Sequence, residues 1–473
     1  MQYNDAVHRP TNNPWLFCAI LITVTVATYA GTFLGTFQYD DLYAILINGH
    51  LDRLNTFVRH LDHMVRPVLY GTFLIDRSLY GNTPTGYHLL NLLLHLGSGL
   101  LIYRILARAV TEENRHIPFW VALLFLIHPI QTEAVTYISG RASGLMAFFY
   151  LLAFWLYIKA SESLPAGNVR RLYLFGAVLS LLLSLGSKET AVTFPLLLLL
   201  WDRLIRRLRG ASLRAAILFH HLPFWLILVA GSLWALLHPR YSELAQLSVG
   251  IRPFWEHVLS ELHAVTYAIL LFFWPWKQNF DHDVPLFHSA IEWPLPLEWL
   301  AWSGVALTAV VSVRRLPLLS FGIGWFILQM LPTTVVPRND LLSERNLYLA
   351  SMGLLLVIVV FGSCLIQWIA KVMQPRLIRL GARALVVLFV LMLCLLTFQR
   401  NVLYRDEVSL WSDTVRKSPH KARAHNNLGH AYAMQGNWDR AIEEFRTAAQ
   451  LDPDYGLAQK NLRDAYLHQV GRQ

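Results

Sequence analysis

Along the first 400 residues, long apolar runs alternate with short polar segments. A helix that crosses a bilayer needs about 20 mostly apolar residues. Runs of this kind lie near 14–37, 87–110, 118–138, 140–160, 170–186, 189–204, 215–238, 297–313, 317–336, 347–370 and 381–399. They predict eleven spans. Lys188 and Glu189 interrupt the pair at 170–204. Residues 1–13 are polar, and no cleavage-site pattern follows the first run, so that run reads as retained in the membrane. From residue 401 the long apolar runs stop and a soluble helical pattern begins. The division is therefore 1–400, a membrane body, and 401–473, a soluble tail. The fold class is all-α, a polytopic membrane helix bundle with a C-terminal helical domain.

Lys and Arg set orientation. The segments Arg104–Arg115, Lys159–Arg171, Arg203–Arg214, Arg314–Arg315 and Lys371–Arg383 fall on one side if the N-terminus is cytoplasmic. This holds when 258–276, which ends in Trp274 and Trp276 and leads into a polar loop, is a re-entrant or interfacial helix. The C-terminal tail and the large loops 38–86, 239–296 and 337–346 then lie outside. That is the periplasm if the source is bacterial, with the chain in the inner membrane, and the lumen of the endoplasmic reticulum if it is eukaryotic.

Composition sharpens the division. Hydrophobic residues make up 55% and charged residues 15% of the 473, against about 45–50% and about 25% in soluble domains. The tail carries 10 basic and 9 acidic residues in 73, as a soluble domain would. A disordered chain, a disulfide scaffold and a soluble enzyme are excluded. The net charge of +10 resides almost entirely in loops between apolar runs, so nucleic acid is not a partner. Cys18, Cys364 and Cys394 all lie in apolar runs, which argues against a zinc site or a disulfide framework.

The tail repeats. Pro419 and Pro453 are 34 residues apart, the tetratricopeptide period. Leu428, Gly429, Tyr432, Ala441, Phe445, Ala448 and Pro453 follow that repeat's pattern, with His425 in place of the usual tryptophan. Half a repeat precedes this unit and a closing helix follows it. Such an array either caps the membrane body or offers a groove for a protein chain.

Unusual polar residues gather at the outer ends of the spans, where ionisable groups are costly and tend to be functional. Asp40 and Asp41 follow the first span. They can cap a short helix over 42–50 or supply a general base. His88, Asn91 and His95 share one helix face, either as inter-helix hydrogen bonds or as a pocket wall. His128, Thr132, Glu133 and Arg141 lie at the outer ends of the third and fourth spans, Lys188 and Glu189 at the turn between the fifth and sixth, and Glu344, Arg345 and Tyr348 open the tenth. An arginine at an outer membrane face can grip a phosphate. The plainer alternative is a local pair such as Glu344–Arg345 or Lys188–Glu189. No Gly-rich phosphate loop, serine elbow or Cys-x-x-Cys occurs. No cofactor is expected. A divalent metal is not indicated, since no ligand spacing calls for one.

In order, Asp40-Asp41-Leu-Tyr-Ala-Ile, Arg66-Pro67, Tyr87-His88 with Asn91 and His95, His128-Pro129 to Glu133-Ala-Val, Gly140-Arg141, Ser187-Lys188-Glu189 and Glu344-Arg345 to Gly353 resemble the transmembrane and tetratricopeptide repeat-containing O-mannosyltransferases. Those are C-type membrane glycosyltransferases. Two departures stand out. Ser143 replaces the acidic residue often found after Gly-Arg-Ala, and the repeat array is short, which points to a bacterial relative. The resemblance implies transfer of a monosaccharide from a polyprenyl-phosphate-linked donor to a hydroxyl acceptor, protein or glycan, on the outer face. The acceptor would be held by the repeats. Asp40 or Asp41 would be the base. Arg345 would hold the donor phosphate, with Arg141 or Lys188 as alternatives. Arg66, His88, Asn91, His128, Glu133, Glu189, Glu344 and Tyr348 would line the substrate pocket. Two other readings stand beside it: a non-enzymatic membrane scaffold that recruits a partner through its repeats, and a glycan polymerase or ligase.

Overall fold

The computed structural model describes the backbone of residues 14–162, 167–372 and 375–470. The side chains of the basic segment Lys371–Arg383 lie almost entirely outside the described residues, as do residues 1–13. Among the described residues every element is helical, and no strand occurs.

Among the described residues, eight helices are long and apolar enough to cross a membrane: Trp15–Leu34, Pro84–Leu106, Ile138–Glu162, Asn168–Leu185, Gly210–Leu237, Pro317–Val335, Glu344–Ile369 and Ala384–Leu403. A ninth is a broken pair, Glu112–Ile127 and Pro129–Val135, bent by 56°. The break has a local cause. Pro129 disfavours helical geometry in the residue before it, and His128 is extended, with φ −75° and ψ 133°.

The expected eleven are thus not all reproduced. In the run 189–204, the α-helix begins only at Phe194, after a 3₁₀ turn, and spans 11 residues. At 1.5 Å per residue that is about 17 Å, half of the roughly 30 Å hydrocarbon core. The run 297–313 forms the 17-residue helix Leu295–Val311, also short. Phe254–Phe273 is 20 residues long but carries Glu256, His257, Glu261 and His263, and it is not among the apolar candidates.

Packing centres on Ile117–Ile127, which is buried along most of its length. Tyr150, Phe154, Trp201 and Trp325 interlock beside it through tilted and edge-on ring contacts. The helices Pro317–Val335 and Leu347–Val372 touch backbone to backbone. A Cβ on Gly353 would stand 2.4 Å from the Gly322 carbonyl oxygen, so both positions need glycine, as in small-residue membrane interfaces.

The tail consists of Glu407–Lys417, Ala422–Met434, Trp438–Leu451 and Gly456–Val470. Gly429 lets the two central helices nest, since a Cβ there would come within 2.7 Å of the Phe445 ring. The tail is docked on the membrane body. Trp411 packs edge-on against Tyr39 and Phe280, with centroids 5.4 and 5.3 Å away. Arg423 donates two hydrogen bonds of 2.7 Å to Asp281 and also pairs with Asp340. Asn279 donates to Ser418 Oγ at 2.8 Å.

Candidate functional site

The ends of several helices meet under the docked tail and enclose a cleft of about 290 Å³. Four cations line it: Arg66, Lys188, Arg338 and Arg345. Asp40, Ser139, Ser143, Asp340, Ser343 and Asn346 supply polar wall, and Leu69, Tyr70 and Phe73 the apolar part. Asp40, Asp340, Ser343 and Arg345 also line a smaller cavity of about 30 Å³ that reaches Tyr39, Phe280, Trp411 and Arg423 at the tail. Asp40 therefore stands between a basic chamber and the repeat domain.

The two adjacent carboxylates have separated. Asp41 is fully buried. It accepts from the backbone N–H of Gln38 at 2.9 Å and of Ser139 at 2.8 Å, and from Ser139 Oγ. Burial pushes its carboxyl up to about 7, against the pull of those hydrogen bonds. It ties the segment after the first span to the start of the Arg141–Glu162 helix. Asp40 is only partly buried. Its backbone N–H donates to the Tyr137 hydroxyl at 3.1 Å. The preceding residue, Tyr39, has φ +42°, a left-handed conformation uncommon outside glycine and often kept at functional sites.

Lys188 is 5% exposed. Its Nζ donates to Ser143 Oγ and Asn346 Oδ1, each at 2.9 Å. Among the described residues no carboxylate lies within 4.0 Å of its Nζ. Burial, then the guanidiniums of Arg338, Arg66 and Arg345, hold its ammonium well below the ordinary lysine value. Ser143, which departs from the acidic residue of the family pattern, is thus the neutral partner of a buried cation. Arg345 is braced by Glu133: its backbone N–H donates to Oε2 at 3.0 Å, and Nε lies 3.6 Å from Oε1. Its guanidinium also lies 5.8 Å from the Tyr137 ring centroid. Arg66 is gripped by Glu189 through hydrogen bonds of 2.8 and 3.1 Å. The lining itself carries four cations against two carboxylates, Asp40 and Asp340, and guanidiniums and an ammonium suit a phosphate.

The other residues singled out from the sequence lie elsewhere. Arg141 is fully buried and its donors are taken by Asp76 (2.6 Å), Asn91 Oδ1 (2.7 Å), Tyr87 O (2.9 Å) and Thr72 Oγ1 (3.1 Å). It staples helices and does not line the cleft. Asn91 serves the same staple. His88 sits inside the bundle against Gly35. His128 stacks on Phe272 and bonds to its carbonyl. His95 and Tyr348 bond to each other at 2.8 Å. Glu344 is buried, accepting from Asn279 N at 2.6 Å and His282 Nε2 at 2.9 Å. Glu133 lines the smaller cavity. Arg338 was not legible as a site residue. Its one signal is an arginine after Pro337, in the loop 337–346 between two apolar runs. Among the described residues, no group of three or more His, Cys, Asp or Glu side chains could hold a metal ion.

The sequence is similar to those of known proteins. The chain is 27% identical to the protein O-mannosyl-transferase Tmtc3 of Drosophila melanogaster, over 95% of this chain and 56% of that protein. It is 26% identical to TMTC1 of Homo sapiens, over 94% and 56%, and 27% to human TMTC4, over 89% and 64%. The chain resembles the O-mannosyltransferases along nearly its whole length. It spans little more than half to two thirds of those relatives' length. A family model for the tetratricopeptide repeat matches residues 422–455. A solved structure, ArnT from Cupriavidus metallidurans bound to undecaprenyl phosphate, aligns over 98% of this chain and 79% of that one at 14% identity. Its TM-score of 0.38 is too low to support any inference.

Proposed function

We propose that the chain is a membrane glycosyltransferase that moves a monosaccharide, mannose by analogy with its relatives, from a polyprenyl-phosphate-linked donor to a hydroxyl acceptor. One observation carries this reading. The candidate base Asp40 shares a single cleft with Arg66, Lys188, Arg338 and Arg345. The acceptor hydroxyl oxygen attacks the anomeric carbon. The bond from that carbon to the phosphate oxygen breaks, and its electron pair leaves with the polyprenyl phosphate. The hydroxyl proton passes to the Asp40 carboxylate. The leaving phosphate needs no acid, only preorganised cations near it; Lys188 and Arg345 are the principal ones, with Arg66 and Arg338 beside them.

The acceptor, a protein or glycan, reaches Asp40 from the side of the small cavity, between the membrane body and the repeats. The cleft and the tail share one end of the bundle, and the basic loops read from the sequence favour the other. The N-terminus is accordingly cytoplasmic and the reaction faces the periplasm or lumen. The test is transfer of radiolabelled mannose from a mannosyl-phosphoryl-polyprenol by purified protein in liposomes. Asp40→Asn should lower the rate by about 10²–10⁴ with donor binding and melting temperature preserved. Full activity in this variant would remove Asp40 as the base.

A further inference from the structure

A second basic chamber lies at the far end of the Asn168–Leu185 helix. The donor cleft takes Lys188, just past that helix's C-terminus, while the second chamber takes Gly167, Arg170 and Arg171 at its N-terminus. Eighteen residues rise about 27 Å, close to the thickness of a hydrocarbon core. The two chambers therefore belong to opposite leaflets.

The second chamber has a volume of about 630 Å³ and is lined by three guanidiniums, Arg170, Arg171 and Arg206, together with His220 and Ser212. Its remaining wall is apolar: Leu174, Leu208, Ala215, Ala216 and Phe219. The arginines are positioned. Arg206 donates to Asp202 Oδ1 at 3.0 Å, and Asp202 is in turn held by the Tyr157 hydroxyl at 2.7 Å and His221 Nε2 at 3.0 Å. Asp202, Tyr157 and His221 are all fully buried. Arg170 donates to His220 Nε2. Among the described residues that line the chamber there are three guanidiniums and no carboxylate, and Asp202, outside the lining, accepts from Arg206. On the two helices of membrane-spanning length that supply most of the lining, Val169, Leu172, Phe175, Leu218 and Phe219 are exposed.

We propose that this chamber binds the phosphate of an anionic phospholipid in the leaflet opposite the donor cleft. Basic pockets between membrane helices recognise such headgroups. The apolar wall and the exposed apolar side chains of the same helices distinguish a lipid from a free anion, because only the lipid has chains to lay on them. The site lies outside the reaction and does not depend on the proposed transferase activity.

The test uses the purified full chain, delipidated in detergent and incubated with palmitoyl-oleoyl-phosphatidylglycerol or with phosphatidylcholine of the same chains. Retained lipid is counted by native mass spectrometry. Phosphatidylglycerol should be retained preferentially. Arg170→Gln with Arg171→Gln should lower its retention about tenfold or more and leave phosphatidylcholine unchanged. Arg171 is exposed, so Arg171→Gln alone keeps the test available if the double variant does not fold; it should show a smaller loss of the same sign. Arg214→Gln, on the neighbouring helix but outside the chamber, should change nothing. Equal retention of the two lipids, wild-type retention in the Arg170/Arg171 variants, or an equal loss in Arg214→Gln would overturn the proposal. So would displacement of the lipid by millimolar inorganic phosphate, which would assign the chamber to a soluble anion.

Discussion

Lys188 offers the sharpest separation between a binding group and a structural one. Its ammonium is nearly inaccessible, bonded to two neutral oxygens, and surrounded by guanidiniums. Such a group opposes folding unless an anion arrives. In Lys188→Gln the amide keeps one of the two hydrogen bonds and forfeits the other, which costs about 1 kcal/mol. Against this, removing the charge relieves the burial cost and the like-charge repulsion that already disfavour the ammonium in the folded chain. The melting temperature should therefore hold or rise. Donor affinity should fall, since a charge-assisted hydrogen bond to phosphate contributes about 1.5–3 kcal/mol, or roughly 10- to 150-fold. Titration calorimetry with a polyprenyl-phosphate sugar and a thermal melt measure the two quantities on the same sample. The pH dependence adds a signature. Lys188 is lowered in the folded chain, so the unfolded chain binds more protons between the lowered value and the ordinary one. Its contribution to stability therefore rises with pH across that window. Bound phosphate favours the ammonium, so donor affinity weakens as pH rises through the lowered value. Lys188→Gln should flatten both slopes. Donor affinity within about twofold of wild type, together with a several-degree fall in melting temperature, would refute the reasoning and make Lys188 a tie between Ser143 and Asn346.

Arg345→Ala should weaken donor binding by about 2–3 kcal/mol, and Arg345→Lys should restore only part, lacking the planar fork. If Arg345→Ala and Glu133→Gln merely destabilise the protein equally and leave donor affinity alone, the pair is structural. Asp41→Ala leaves the buried Gln38 N–H and the partly buried N–H and hydroxyl of Ser139 without their acceptor, so a stability loss of about 3 kcal/mol is expected in a denaturant titration. Unchanged stability with abolished transfer would instead make Asp41 the reacting carboxylate.

The bundle was legible because membrane helices announce themselves by length and hydropathy. Where the count differs, the cause is helix length: the run at 189–204 is divided between a 3₁₀ turn and an 11-residue α-helix, and neither alone is long enough to count as a span, although together they link the Lys188 end of the bundle to the Arg206 end. The repeat was legible from its period, and the family model falls on the same unit. The site was only partly so. Sequence placed Asp40, Arg66, Lys188 and Arg345 near the outer face, and the fold brings them into one cleft. It could not say which of two neighbouring aspartates turns inward, because one residue of backbone rotation decides it. Nor could it separate a cation that faces a cavity from one consumed by a staple. Arg141 and Lys188 look alike in sequence; only Arg141 has Asp76, sixty-five positions earlier, brought against it.

The grip of the tail on Tyr39 has a consequence for how such proteins can vary. Trp411 and Phe280 enclose its ring, and the Tyr39 N–H donates to Glu407 at 3.3 Å. The residue beside the proposed base is thus set by the first helix of the soluble domain. Removing that helix would be an active-centre lesion even though it deletes no reacting group. The far helix, Gly456–Val470, touches none of this. Modules added there would lengthen the reach toward acceptors while the geometry at Asp40 stayed fixed, so specificity and catalysis can be altered independently from opposite ends of one array.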